Sequence, residues 1–505
     1  MATRRYFLAA SAATALYSSS AARLLAQGPQ PATLALAGGD GPQMPADFVG
    51  LSYEIQQLTE PSFFSPQNHG LIEQFRALSP HGVLRLGGNT SEFAWWKPTP
   101  ETPEPVHPKT REVEGEPPAK FYPVTSEAVV NLAGFLKATG WTCLYGINLG
   151  TNTPERAADE AVFVAKTLGS SLQYFQVGNE ADLYNRHLRD PQTWSFEAYL
   201  KEWLVMARAI LKAVPSAKFG MPDVASDMSW LTDLGEAWAG ISDPPPVTTL
   251  SHHFYFGGPA TNPKVNIPAL LSEVERTKQM AETATAAAKK VPGTRVRMTE
   301  GNTCYRGGKP GVSDVFAAAL WSADYALTLA SYGYSGVNLH GGTGQSVANS
   351  VGGVLPGDVM LHDAGETPDQ IATHPHPFYT PVGTFGSIYK LEPVAYGLKF
   401  AGAFSGGTML PVSFNAGGVN ATAYASRLAD GRISFIVLNK DAEKDLALVL
   451  SLPGKSGELN VETLMAPALD SRETGIYGLS RKISVKNGSA SVTVPKASGM
   501  RLTLG

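Results

Sequence analysis

Glu180 and Glu300 are the residues in this chain best placed to do chemistry. Each follows a short apolar run that reads as a β-strand. Leu172–Val177 leads into Gly178-Asn179-Glu180, and Thr294–Met298 leads into Thr299-Glu300-Gly301-Asn302. Two carboxyl groups facing each other can divide labour at an acetal carbon: a protonated one gives its proton to the departing oxygen, and an ionised one attacks the carbon. Burial at a strand end raises the pKa of a carboxylic acid, which suits Glu180 to the acid/base part. Asn179 beside it can hydrogen-bond a substrate hydroxyl. If the carboxyl groups sit about 5 Å apart, Glu300 is the nucleophile and the product keeps its configuration. A solvated loop carboxylate is the plain alternative at either position.

Both residues depend on the elements that hold them. Eight runs read as strands: Phe48–Ser52, Gly82–Leu86, Thr142–Asn148, Leu172–Val177, Ala217–Met221, Thr248–Tyr255, Thr294–Met298 and Gly336–Leu339. Helical periodicity fills most of the gaps, over Glu155–Leu168, Phe196–Ala213, Ile267–Lys289 and Val315–Ala330. Strands alternating with helices predict a parallel sheet, and eight units predict its closure into a (β/α)₈ barrel. In such a barrel the strand ends on one rim carry the active groups, and Glu180 and Glu300 fall there as residues after the fourth and seventh strands. Long loops at Trp95–Tyr122 and Gly341–Tyr379 are placed to shape a pocket on that rim.

Past about Tyr396 the helical signal stops. Thr422–Arg427, Arg432–Asn439, Leu446–Leu452, Leu459–Leu464 and Ser491–Val494 read as short strands, with Asp430-Gly431 and Asn487-Gly488 as hairpin turns. These predict a β-sandwich, joined by the N-terminal run Ala32–Ala37. The expected division is 1–27 signal peptide, 28–45 N-terminal strand of the sandwich, 46–395 barrel and 396–505 sandwich.

Composition narrows the function. The chain has 505 residues, 43% hydrophobic and 17% charged, with a formal charge of −4. That describes a globular protein large enough for two domains. No long basic run is present, so nucleic acid and anionic membranes are poor partners. Arg4-Arg5 before Tyr6-Phe7-Leu8 and an Ala/Ser-rich apolar stretch resembles a bacterial twin-arginine export signal, which implies a periplasmic or secreted protein. The alternative is a disordered basic tail. No other apolar run reaches the roughly 20 residues that span a bilayer. Cys143 and Cys304 are too few for a disulfide framework or a zinc site and are read as free and packed.

Asn-Glu closing the fourth strand and Glu closing the seventh is the signature of the clan A retaining glycosidases. Within that clan the chain resembles glycoside hydrolase family 79, the β-glucuronidases and heparanases, across the barrel and the sandwich. The resemblance implies several roles. Tyr305, five positions after Glu300, and Gly307 in Tyr305-Arg306-Gly307-Gly308 hold the uronate carboxylate. Glu54 in Leu51-Ser52-Tyr53-Glu54 takes a sugar hydroxyl, and Tyr255 in His252-His253-Phe254-Tyr255 hydrogen-bonds the nucleophile. Arg85 in Leu84-Arg85-Leu86 balances charge beneath it, a position that a structural ion pair explains nearly as well. The two histidines are read as orienting loops, not as metal ligands, and no metal or organic cofactor is implied.

One departure stands out. The family's second carboxylate-binding Tyr follows the eighth strand closely, whereas here His340-Gly341-Gly342 leads into a Tyr-free segment. Phe378-Tyr379-Thr380-Pro381 supplies the pattern only after an insertion, which makes Tyr379 the candidate. The expectation is a retaining exo-β-glucuronidase acting on a carbohydrate with β-linked uronic acid. A clan A enzyme for another sugar (a β-glucoside, β-xyloside or 4-O-methyl-glucuronide) and a catalytically silent carbohydrate-binding protein stay open. A heparanase-like endo-enzyme fits the few basic residues less well.

Overall fold

The computed structural model describes residues 31–111, 120–272 and 275–505, leaving aside the side chains of 479–481. The predicted export signal and part of the loop after Trp95 lie outside the described residues.

Eight parallel strands close into a barrel: β1 (Val49–Glu54), β2 (Val83–Gly87), β3 (Thr142–Ile147), β4 (Leu172–Val177), β5 (Phe219–Val224), β6 (Val247–Pro259), β7 (Arg295–Tyr305) and β8 (Val337–Gly341). β8 returns to β1 in register, Leu339 opposite Leu51 and His340 opposite Ser52. Successive strand residues point to opposite faces, so each strand splits into an outward and an inward set. In β1 the outward Tyr53 packs edge-on against Phe64, while the inward Ser52 and Glu54 meet polar partners. In β6 the outward Phe254 stacks on Tyr325 of the helix Phe316–Ser331, and the inward His253 and Tyr255 meet carboxylates. The helices thus pack on an apolar outer surface, and the polar residues of the interior accumulate at the C-terminal rim.

Helices separate the strands where periodicity placed them. Pro154–Leu168 opens with Pro154 in its first turn and the Thr153 side chain accepting from the Arg156 amide, a standard N-terminal cap. Phe196–Ala213 matches its predicted bounds, and within the predicted Ile267–Lys289 the described residues are helical over Ile267–Ser272 and Glu275–Ala288.

Three expectations need correction. The helical signal does not stop at Tyr396: Pro393–Gly402 is the eighth barrel helix, so the expected division at 395/396 falls inside it. Two glycines weaken its periodic signal. Gly397 is required by packing, because a Cβ there would sit 1.9 Å from the Ala319 carbonyl oxygen. The segment Gly341–Tyr379 is not simply a loop but carries the short helices Gly344–Ser350, Pro356–Asp363 and Pro368–Ile371. Finally, β7 does not end at Met298. It runs on to Tyr305 alongside an equally long β6, with a register shift between Met298 and Glu300.

The sandwich pairs a four-stranded sheet with a six-stranded one. Ala32–Leu36 joins the former between Val412–Asn415, antiparallel, and Leu446–Ser451, parallel. Asn487 and Gly488 both adopt positive φ, as the tight hairpin they signalled requires. The sandwich is joined to the barrel through Asp324 on the helix Phe316–Ser331. Its carboxylate accepts from Lys440 at 2.7 Å and from Thr422 and Tyr424 at 2.6 Å each.

Candidate active site

A carboxylate oxygen of Glu180, one of Glu300 and a ring nitrogen of His253 all lie within 4.8 Å of one another on the C-terminal rim. The two glutamates come from β4 and β7, three strands apart around the barrel, and the backbone shows how each is aimed. Glu180 occupies the left-handed region at φ 49°, which a residue with a Cβ adopts only when its surroundings demand it. Its amide donates to the Asp223 carbonyl at 2.9 Å, and the preceding Asn179 amide donates to the buried Glu92 carboxylate at 2.5 Å. Glu300 follows the register shift in β7. That irregularity lets Thr299 and Glu300, adjacent in a strand, reach the same network: Thr299 Oγ1 donates to Asp223 while Glu300 binds Arg85.

Arg85 is fully buried and bonds to both sides of the site. Its guanidinium pairs with Glu300 and, at 2.7 Å, with Asp223, and it donates to Asn179 Oδ1 at 2.7 Å and Ser52 Oγ at 3.1 Å. Tyr255 donates its hydroxyl to Glu300 Oε1 at 2.9 Å. His340, at the end of β8, places Nδ1 3.7 Å from Glu300 and Nε2 3.5 Å from Glu54. Glu54 is buried and accepts from Thr90 Oγ1 at 2.7 Å. Gly88 beside it turns at φ 75°, a conformation that favours glycine, and a Cβ there would crowd the Glu54 carboxylate at 2.3 Å.

These surroundings push the two glutamates apart. Burial raises the Glu180 carboxyl above its ordinary value, and the nearby Glu300 charge adds to that against the opposing His253. Burial also acts on Glu300, but the charges of His340, His253 and Arg85 and the Tyr255 hydroxyl outweigh it and hold the carboxyl at about 2. One group favours its proton and the other its charge, the division that acid/base and nucleophile require. By distance alone Glu180, His253 and Glu300 could also surround a cation, but the Arg85 guanidinium already neutralises Glu300.

The insertion delivers Tyr379 to this site despite its distance in sequence. Asn302 of β7 donates to the carbonyls of His340 and Tyr379 at 2.9 Å each, tying the far end of the insertion to β8. The glycine turn after Tyr305 fits against the same segment, and a Cβ on Gly308 would meet the Tyr379 amide at 2.7 Å. The Tyr255 ring lies 6.2 Å from both Tyr305 and Tyr379, so three tyrosines line one wall, Tyr305 outermost at 40% exposure. Burial and the Glu300 charge hold the Tyr255 and Tyr379 phenols protonated, as hydrogen-bond donors. Gly307, two residues after Tyr305, turns at φ 87°.

All nine residues singled out from sequence therefore gather on one rim. Four others stand with them. Asp223 and Glu92 had no motif to mark them. His253, read as orienting a loop, bonds Glu180 Oε1 directly at 2.8 Å, while its outward neighbour His252 packs against Tyr334. His340 was visible at the end of the eighth run, and strand alternation was the signal that could have turned it inward.

The chain is 28% identical over 318 residues to a β-glucuronidase of Aspergillus niger, covering 59% of this chain and 56% of that one. It is 24% identical over 323 residues to a β-glucuronidase of Neurospora crassa, covering 58% and 55%. The chain thus matches little more than half the length of these curated relatives, which bear out the resemblance to the β-glucuronidases. No family model matches it. Among solved structures, a 4-O-α-L-rhamnosyl-β-D-glucuronidase from Fusarium oxysporum superposes with a TM-score of 0.66 at 17% identity, covering 94% of this chain and all of that one. A family 51 arabinofuranosidase from Xanthomonas axonopodis pv. citri gives 0.66 at 15% identity, with the same coverage. At those identities the structures establish the barrel-and-sandwich fold and leave the sugar open.

Proposed function

We propose that the protein is a retaining exo-β-glucuronidase that removes terminal β-D-glucuronic acid from glycans or glycosides. The observation that carries this reading is the approach of the Glu180 and Glu300 carboxylates to within 4.8 Å. Double displacement needs such a gap, because a direct attack by water would require room for that water between the two groups. Glu300 attacks the anomeric carbon from below while Glu180 protonates the leaving oxygen. Glu180 then takes a proton from water as the glycosyl-enzyme is hydrolysed. Tyr255 and Arg85 hold Glu300 ionised and aimed, and Asn179 and Glu54 take ring hydroxyls. Tyr305, Tyr379 and the backbone at Gly307 receive the uronate carboxylate with neutral donors. The likeness to two fungal β-glucuronidases supports uronate at this subsite.

No helix among the described residues is long and apolar enough to cross a membrane, and we read the N-terminal segment as an export signal. A panel of nitrophenyl glycosides tests the sugar. Hydrolysis of the β-glucuronide well above the β-glucoside and β-xyloside is expected, with the β-anomer of glucuronate as first product by NMR. Cleavage of the glucoside without the glucuronide would overturn the sugar assignment, and an α-anomeric first product would overturn the retaining step.

A further inference from the structure

We infer that Asp223 is a positioning residue that acts through His253 on Glu180, as the first member of a carboxylate–imidazole–carboxyl chain. The inference rests on the glycosidase reading and specifies how its acid/base keeps a transferable proton. Asp223 Oδ2 lies 3.1 Å from His253 Nε2, and His253 Nδ1 lies 2.8 Å from Glu180 Oε1. Both Asp223 and His253 are buried. With the Asp223 carboxylate ionised beside Nε2, a neutral ring protonated only at Nδ1 would set its lone pair against that charge, which leaves the ring two ways to bond. A neutral ring donates to Asp223 and accepts the Glu180 proton at Nδ1, which takes that proton out of reach of the leaving group. A charged ring donates at both ends, occupies Glu180 Oε1 as an acceptor and leaves the acid proton on the second oxygen, where the substrate lies. The second arrangement alone serves catalysis.

The fixed charge of Asp223 selects it. The carboxylate is locked by Thr299 at one oxygen and by Arg85 and His253 at the other, in a residue that itself adopts φ 60°. The groups facing His253 are Asp223, Glu180 and Glu300 as acids, with Asp182 beyond, and Arg85 at 3.3 Å and the adjacent His252 as opposing bases. Burial pulls the His253 pKa down, but the Asp223 and Glu300 charges prevail and lift it to about 10. The catalytic step then balances. The Glu180 proton moves to the leaving oxygen as its bond to the anomeric carbon breaks and the Glu300 bond forms, and His253 stays charged throughout.

The test combines ¹⁵N-histidine NMR with pH–rate profiles of the full-length protein on an unactivated alkyl β-glucuronide. In the wild type the His253 ring, identified by its loss in His253→Gln, should remain an imidazolium up to at least pH 8. In Asp223→Asn it should be neutral at pH 8. Removing that cation lets Glu180 hold its proton more tightly, so the basic limb of kcat/KM should move up by roughly one pH unit while the rate falls at all pH values. His253→Gln leaves the Asp223–Arg85 pair intact and should move the limb the same way, which decides the matter if Asp223→Asn does not fold. A wild-type His253 that titrates near its ordinary value overturns the proposal, and so does an unmoved limb in both variants. The NMR reading needs no turnover, so a protein inactive on glucuronides would refute the proposed function while this chain is still judged on its own.

Discussion

Two buried charge networks, one centred on Asp324 of the helix Phe316–Ser331 and one at the barrel rim, are built differently. At the junction with the sandwich, one anion meets one cation: Asp324 binds Lys440, and Thr422 and Tyr424 fill its remaining acceptor sites. At the barrel rim, Glu54, Glu180, Asp223 and Glu300 share Arg85 and the nearby His253 and His340. The first is satisfied internally and serves to hold two domains together. The second cannot ionise every acid at once, so one carboxyl keeps a proton and another keeps a charge. The first is built as a joint, and the second has the charge imbalance that acid/base chemistry requires.

If that contrast is right, damage at the rim should show as lost turnover and damage at the junction as lost stability. The largest effect is expected from Glu300→Gln, which should lower kcat on an aryl glucuronide by at least roughly 10⁴-fold with circular dichroism unchanged. Next, Glu180→Ala should cost roughly 10²–10⁴-fold on leaving groups that need a proton and much less on activated phenols, a split visible by comparing two aglycones. At the junction, Asp324→Ala strands a buried ammonium and should lower unfolding free energy by about 3–5 kcal/mol, measured in urea, with kcat per folded molecule kept. Equal loss of kcat in that variant would erase the distinction.

The smaller effects sharpen it. Tyr255→Phe removes one hydrogen bond to an ionised group, which is worth about 1.5–3 kcal/mol. It should cut kcat roughly 10- to 100-fold and shift the acid limb, set by Glu300, to higher pH. Glu160, behind the barrel, is a third case: it accepts from Tyr145 at 2.9 Å, and burial, against that bond, pushes it up to about 7. A carboxyl raised in the folded state contributes its stability below the unfolded value of 4.5 and loses it as pH rises through about 7. Glu160→Gln should therefore gain on the wild type between pH 5 and 8, by roughly 1–3 kcal/mol, in paired urea titrations.

The barrel was legible because each of its strands is a compact apolar run and its longer helices keep a clear period. The residues at strand ends were legible because a motif or an adjacent strand fixed their register. What stayed hidden has a common physical origin. Pro393–Gly402 needs Gly397 for close packing on a neighbouring helix, and that same glycine hides its helical signal. Asp223 and Glu92 have no local pattern, since their partners at Arg85, His253, Asn179 and Gly150 come from other strands or loops. Tyr379 was found by its Tyr-Thr-Pro setting, but only the tie from Asn302 to its carbonyl shows why an inserted segment ends there.

The central claim is that Glu300 becomes covalently bonded to the sugar during turnover. Incubation with a 2-deoxy-2-fluoro-glucuronyl fluoride, which forms the glycosyl-enzyme faster than it hydrolyses, followed by peptide mass spectrometry tests this most directly. The expected result is a single fluorosugar adduct on the peptide carrying Glu300. An adduct on another residue, or steady turnover with no adduct and an inverted product, would contradict it.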